Sequence, residues 1–282
     1  MDFVPLQDKF DKMYVTKDVY TIYNWLLKEY GWPTLPEIPQ EKRVLAYEDV
    51  FPILYLKYRL YSGQVRKNIR HLVIDEMQDY SYLQYVILQN MFSCNMTILG
   101  DRAQTVDHDL QDVQTFLPKI FGKKLRCLAM NKSYLNTIEI AKYAAEITGV
   151  CDVKFLERHG KPVEEKWYHS KEAALQDVLT QVEFGVTGYE TAAVLVMTEA
   201  QAKEAYEYLN EQRKDVYYID RDSSAFQRGI TVTTYYLAKG LEFDSVHVAY
   251  TPVEEKLTEY QRQILYIGAT RALHELYVYS ID

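Results

Sequence analysis

Between Asp18 and Tyr30 the apolar positions Tyr20, Ile22, Trp25 and Leu26 recur at helical spacing, and Gly31-Trp32-Pro33 stops them. Trp32 to Pro39 carries the prolines of a loop, and a second helix is predicted from about Tyr47 to Tyr61, with Val50, Leu54, Leu56, Tyr58 and Leu60 available for burial before Ser62-Gly63. The pattern then changes. Leu72-Val73-Ile74 is continuous rather than alternating, as in a strand covered on both faces. Strand, helix and strand are predicted at Arg70 to Ile74, Tyr82 to Met91 and Met96 to Leu99, a βαβ unit with a right-handed crossover.

PKIFGKK, within Leu117 to Lys124, separates two apolar regions, and the alternation starts again beyond it. Strands are predicted at Lys124 to Ala129, Ala192 to Val196, Gly229 to Thr233, Ser245 to Ala249 and Glu275 to Tyr279. Helices are predicted at Thr137 to Thr148, near Ser170 to Phe184, at Glu199 to Gln212 and at Thr258 to Ala272. The expectation is two α/β units, the first preceded by a mainly helical part.

Composition changes this picture little: 48% hydrophobic and 26% charged residues are ordinary for a globular chain. The 26 tyrosines can build core while their hydroxyls reach water or their rings stack on bases, and indicate no activity by themselves. A formal charge of −8 is not what free nucleic acid prefers, because phosphate binding rests on Lys and Arg releasing counterions. Cys94, Cys127 and Cys151 have no CxxC or Cys/His spacing, so free, mostly buried thiols in a reduced cytoplasmic setting are expected. No apolar stretch has the length of a membrane span, and MDFVPLQDKF has no signal-peptide core.

The chemistry gathers where the two early strands stop. Asp75-Glu76-Met77-Gln78-Asp79 follows the first, and Leu99-Gly100-Asp101-Arg102-Ala103-Gln104 the second. Alone, an Asp-Glu pair is as readily an acidic turn favoured by a helix dipole. Two polar strand ends side by side point instead to a phosphate site. One carboxylate is suited to holding Mg²⁺ through water and the other to activating a nucleophilic water. Gly100 would let the backbone approach a ligand, and Gln104 could read a γ-phosphate or its attacking water.

Three later segments complete the series: Met130 to Ala144 (MNKSYLNTIEIAKYA), Thr231 to Val248 (TVTTYYLAKGLEFDSVHV) and Gln263 to Tyr279 (QILYIGATRALHELYVY). In order and spacing the five resemble motifs II to VI of the UvrD/Rep superfamily I helicases. The stretch YEDVFPILYLKYRLY…HLVIDEMQDYS is similar to the helicase IV and HelD-like branch, and the resemblance covers roughly Tyr47 to Tyr279. It implies a P-loop NTPase (RecA-like) α/β fold, with parallel sheets flanked by helices. The implied parts are a helical segment over 1–68, an incomplete first motor domain over 69–118 and a nearly complete second over 119–282.

The resemblance also implies roles and ligands: ATP and Mg²⁺, with Asp75 holding the metal and Glu76 the general base. Gln104 would couple the γ-phosphate to nucleic-acid contacts, and Tyr134 would stack on adenine. Gly240 would allow close backbone approach in the motif V turn, with Glu242 on the ribose. Arg271 would be the arginine finger, while Gly268 and Ala269 let its helix pack closely. The implied partner is nucleic acid, with single-stranded DNA expected, or RNA polymerase if the protein is a HelD-like remodeller. A catalytically dead scaffold is a third reading.

The pattern also fails in places. Of eleven glycines only Gly122 and Gly160 precede Lys, and those lysines are followed by Lys124 and Pro162 rather than Ser or Thr. No Walker A loop is present, so the amide cradle and its lysine are missing. Either the chain is the C-terminal portion of a longer helicase or it is a degenerate relative, and negligible ATPase activity is expected of it alone. Leu135 stands where the family has a phosphate-contacting Arg, with Lys132 or Arg126 as the candidate replacement cation, and Tyr236 where it usually has His. Thr105-Val106-Asp107-His108 replaces an aromatic-rich extension of motif III.

Overall fold

Asp18 begins the first helix by accepting the Tyr20 N–H at 3.2 Å on its side chain, leaving Tyr20 and Leu27 to be buried. A computed structural model of the chain describes residues 16–61, 65–104, 112–130, 132–149, 154–223, 227–252 and 257–282. Thr105 to His108, Cys151 and Ser62-Gly63 therefore lie outside the described residues, as does the N-terminal segment before Thr16. The chain folds as two compact units: Met1–Asp101 with Asp109–Arg126, and Arg102–His108 with Cys127–Asp282.

In the first unit α1 (Val19–Glu29) and α2 (Tyr47–Leu60) precede β1 (His71–Ile74), α3 (Tyr82–Met91) and β2 (Asn95–Ile98). None of the α2 residues expected to supply core is fully buried. Strands β1 and β2 pair in parallel, Leu72 opposite Met96 and Ile74 opposite Ile98. One face packs with Tyr85 and with Val113, Phe116 and Leu117. Val73, on the other face, is 60% exposed, so this strand is covered on one side only.

Those last three core residues belong to α4 (Val113–Phe121), a helix that runs into the Leu117 to Lys124 stretch expected to separate two apolar regions. Its signal is present as apolar residues at i, i+3 and i+4, masked by Pro118 and the following glycine. The strand expected at Lys124 to Ala129 does not form: after a 3₁₀ turn at Gly122–Lys124, residues 125–130 have no regular structure. Leu128 and Met130 are 92% and 89% exposed, so the apolar run has nothing to pack against.

The second unit continues with β3 (Lys132–Ser133), α5 (Ile138–Thr148), β4 (Lys154–Phe155), β5 (Glu164–Tyr168), α6 (Lys171–Gln181), α7 (Phe184–Thr187) and β6 (Thr191–Val196). Then come α8 (Glu199–Gln212), β7 (Val216–Tyr218), β8 (Gly229–Thr234), β9 (Phe243–Tyr250), α9 (Glu259–Arg271) and β10 (Ala272–Ile281). Six strands form one parallel sheet in the order β5-β10-β9-β6-β8-β7. Its central strands are the continuous apolar runs. In β6, Ala192 to Val196 are all buried.

Helices α5 and α9 cover one face around Ile140, Ile264, Ile267, Val246 and Val248, while α6 and α8 cover the other around Val178, Leu209, Val194 and Val232. Each such side chain contributes roughly 1.5–3 kcal/mol on full burial. The two edge strands, β5 and β7, are absent from the sequence-based expectation, because Glu164-Glu165-Lys166-Trp167-Tyr168 reads as a charged surface segment. The whole is α/β, a parallel sheet flanked by helices as expected of a RecA-like unit.

Candidate active site

In the first unit the two strand ends are tied together by their own backbone. Leu99 N–H donates to Ile74 O and Met77 N–H to Leu99 O, both at 2.8 Å. Gly100 is where they cross: a Cβ there would stand 2.5 Å from Gln78 Oε1 and 2.6 Å from Met77 N. The close approach expected of Gly100 is thus to the chain itself.

Asp75 is exposed at the mouth of β1, and its Oδ1 accepts the Glu76 N–H at 2.9 Å. Glu76 follows with φ 50°, ψ 50°, the one non-glycine residue with positive φ among the described residues. That left-handed conformation costs a residue with a Cβ roughly 1–2 kcal/mol. Gln78, 2% exposed, resolves the arrangement. Its Nε2 donates to Glu76 Oε2 at 2.6 Å and its Oε1 accepts the Asp101 N–H at 3.0 Å. The sequence marks Gln78 only as an extra amide. Its place is the bolt between the Glu76 carboxylate and the second strand end.

Asp75 suits Mg²⁺, which binds through one or two carboxylates together with water and phosphate oxygens. Among the described residues no group of three or more His, Cys, Asp or Glu forms a closed metal cage.

In the second unit Gln104 and Arg271 come together. Both are buried, and Arg271 donates to Gln104 Oε1 at 3.3 Å and to Leu241 O at 3.4 Å. Gly268 lets this happen: a Cβ there would lie 2.3 Å from Val248 Cγ2, so α9 lies directly on β9. Asn136, which the sequence pattern does not single out, donates to Ala269 O and Ala272 O at 3.2 and 2.6 Å. It pins the segment bearing Tyr134 to the end of the arginine's helix. Tyr134 is 57% exposed, with Lys132 Nζ 5.0 Å from its ring centroid.

Gly240 has φ +76° and nothing within 4 Å of a built Cβ. Its glycine is required by conformation, not by close approach. Glu242 is exposed beside it.

Two departures from the motifs have visible consequences. The cation beside Leu135 is Arg158, donating to Leu135 O at 2.9 Å and Leu273 O at 3.2 Å, and lying 2.6 Å from His274 Nδ1. Burial, with the guanidinium beside it, pushes His274 below the ordinary imidazole range. Tyr236, at the usual His position, donates to Glu199 Oε1 at 2.5 Å, a carboxylate that also holds Arg221 at 3.0 Å.

Two family models match the chain: the UvrD/REP helicase N-terminal domain over residues 17–106, and the UvrD-like helicase C-terminal domain over 229–279. The chain belongs to the UvrD-like helicases. These ranges include Asp75, Glu76 and Gln104 in the first and Gly240, Glu242 and Arg271 in the second; Tyr134 falls between them. A comparison with curated proteins finds no match. Among solved structures, the C-terminal domain of a possible DNA helicase from Lactobacillus plantarum WCFS1 is 28% identical with a TM-score of 0.43, covering 53% of this chain and 88% of that one. The PRRSV helicase is 15% identical with a TM-score of 0.39, covering 74% of this chain and 34% of that one.

No helix among the described residues is long and apolar enough to cross a membrane. Cys94 and Cys127 are free thiols, but Cys127 is exposed and Cys94 half-buried, against the buried thiols expected.

Proposed function

We infer that the chain carries the metal-holding and water-activating acids and the arginine finger of an ATP-dependent superfamily I helicase or translocase acting on single-stranded DNA in the cytoplasm. The observation that carries the reading is the strained Glu76, held in the left-handed region with its carboxylate gripped by Gln78. Strain of this kind concentrates at functional sites. Glu76 is then the general base that takes a proton from the attacking water. Asp75 would hold Mg²⁺, which when bound neutralises charge on the phosphate oxygens. Tyr134 stacks on the base, Glu242 contacts the ribose beyond the Gly240 turn, Gln104 reads the γ-phosphate, and Arg271 stabilises charge on the transferred phosphoryl group.

None of the glycines here opens a GxxxxGK[ST] loop, so these residues supply no phosphate cradle. The purified chain is therefore expected to bind single-stranded DNA with strong salt dependence between about 50 and 200 mM and to turn over ATP negligibly. Turnover that disappears in Glu76→Gln would overturn the second expectation, and salt-insensitive or absent DNA binding the first. The formal charge of −8 favours a second reading, a HelD-like remodeller of RNA polymerase. Recovery of polymerase subunits with the tagged chain, without DNA binding, would select it.

A further inference from the structure

The loop that leads from β4 into β5, residues 156–163, is fastened to the start of α5 and to β10. Arg158 O accepts the Ile138 N–H at 2.8 Å, Gly160 N–H donates to Glu139 Oε2 at 2.8 Å, and Lys161 pairs with Glu275 at 2.8 Å. At its centre the Arg158 guanidinium donates to Leu135 O at 2.9 Å and Leu273 O at 3.2 Å. One side chain thus ties the segment after Tyr134 to the amino end of β10. Its Nη2 also lies 2.6 Å from His274 Nδ1 and 3.2 Å from Nε2. A cation rests against both ring nitrogens, and a guanidinium stays charged wherever imidazole titrates.

His274 is placed to change partners. Tyr189 stacks on its ring at 5.0 Å, and Asp244 Oδ1, from β9, stands 3.7 Å from Nε2. The other Asp244 oxygen is fixed by the N–H groups of Glu190 and Thr191, both at 3.0 Å, and by the Thr191 hydroxyl at 2.8 Å. Glu275, the remaining acid near the ring, is engaged by Lys161 and by the Tyr277 hydroxyl at 2.7 Å. A neutral imidazole tolerates Arg158, whereas a protonated one is repelled by it and drawn to Asp244.

Burial and the guanidinium hold the folded imidazole below the ordinary 6.5. The contact is therefore intact at neutral pH and weakens as pH falls from that value toward the folded one. His159, the neighbouring imidazole, has the opposite sign. Its Nδ1 is 3.0 Å from Glu139 Oε1, so a proton there tightens the loop.

We propose that Arg158 and His274 form a proton-operated latch on the segment that carries Tyr134. With His274 neutral, Arg158 holds the Leu135 carbonyl; with His274 protonated, the ring turns to Asp244 and the segment is released. That the released ring would otherwise stack on a base rests on the function proposed above. The latch itself does not.

The test uses the full chain without nucleotide. NMR of the imidazole Cε1–H signals, with His274 assigned by its NOEs to the Tyr189 ring, gives its midpoint. Hydrogen exchange, corrected for intrinsic rates, gives protection in peptides covering 132–136. Protection should fall as His274 gains its proton, by up to about tenfold per pH unit for one linked proton, while β6 is unchanged. Arg158→Gln should lower protection at neutral pH, raise the His274 midpoint and remove the pH dependence, and His274→Gln should remove the pH dependence alone. Protection of 132–136 that ignores pH in the wild-type chain overturns the latch. So does a His274 midpoint unmoved by Arg158→Gln, or a pH response that survives in folded His274→Gln. If the variants misfold, coincidence of the wild-type midpoint with the wild-type loss of protection decides alone. Saturation transfer to adenosine reads the base separately: a pH-dependent segment with no transfer at any pH sustains the latch and removes the stacking role of Tyr134.

Discussion

Replacing Gln78 by leucine tests whether the two strand ends are one mechanical unit. The side chain is 2% exposed and makes two bonds that leucine cannot: to Glu76 Oε2 at 2.6 Å and from Asp101 N–H at 3.0 Å. A bond to a charged group contributes about 1.5–3 kcal/mol, and a desolvated N–H left without an acceptor costs about 1–3 kcal/mol. Glu76 is only half-buried, so water recovers part of the first, and leucine recovers some apolar burial. A net loss of about 2–3 kcal/mol is expected, confined to the first unit. Hydrogen exchange in peptides spanning 71–79 and 95–101, followed through urea, reads that unit separately. The midpoint should fall by about 1–2 M for a urea dependence near 1.5–2 kcal/mol per molar.

Gln78→Glu sharpens the test. It keeps an acceptor for Asp101 but sets two carboxylates where 2.6 Å now separates an amide from a carboxylate. One of the pair must then hold a proton, so its pKa rises in the folded state. A raised carboxyl pKa stabilises below the unfolded value of about 4.3, and that contribution is lost as pH climbs through the folded one. The variant should therefore lie nearer wild type at acidic pH than at pH 8. If Gln78→Leu stays within about 0.5 kcal/mol of wild type, or if Gln78→Glu shows no pH dependence relative to it, the bolt is not one.

Other outcomes follow from the second unit. Gly268→Ala should destabilise it by about 1–3 kcal/mol through overpacking on Val248, and Val248→Ala in the same chain should recover much of that loss in thermal unfolding. Burial pushes His247 down to about 3, so it is neutral in the fold while the unfolded chain protonates near 6.5. The unit should lose stability as pH falls from about 6.5 toward 3, at up to about 1.4 kcal/mol per unit of pH, and His247→Phe should flatten that slope in pH-dependent melts. Asn136→Leu removes both bonds that pin the Tyr134 segment to the arginine's helix. It should speed exchange in peptides covering 132–136 while leaving β6 protected, and uniform exchange across the unit would count against the pin.

What could be read in the sequence were those parts whose physics is local or doubly buried. Ala192 to Val196 is a continuous apolar run buried on both faces, as its pattern suggests, whereas the same pattern at Leu72 to Ile74 leaves Val73 60% exposed; the acids after Ile74 stand where that apolar run stops. Edge strand β5 could not be read the same way. Its Glu165 and Trp167 face solvent, and only the partner strand β10, more than a hundred positions later, makes it a strand.

The same distinction separates the site residues. The positions of Asp75, Glu76 and Arg271 at the ends of their elements are legible because polar side chains there stop an apolar run. Arg158 is not, because its meaning depends on carbonyls at Leu135 and Leu273 that only folding brings to it. Nor is Gln78: one amide among acids says nothing until the second strand arrives with Gly100, the one residue small enough to let it close. The motif therefore encodes less a list of catalytic groups than a fit between two strand ends, and substitutions that spoil the fit should disable Glu76 as surely as its removal.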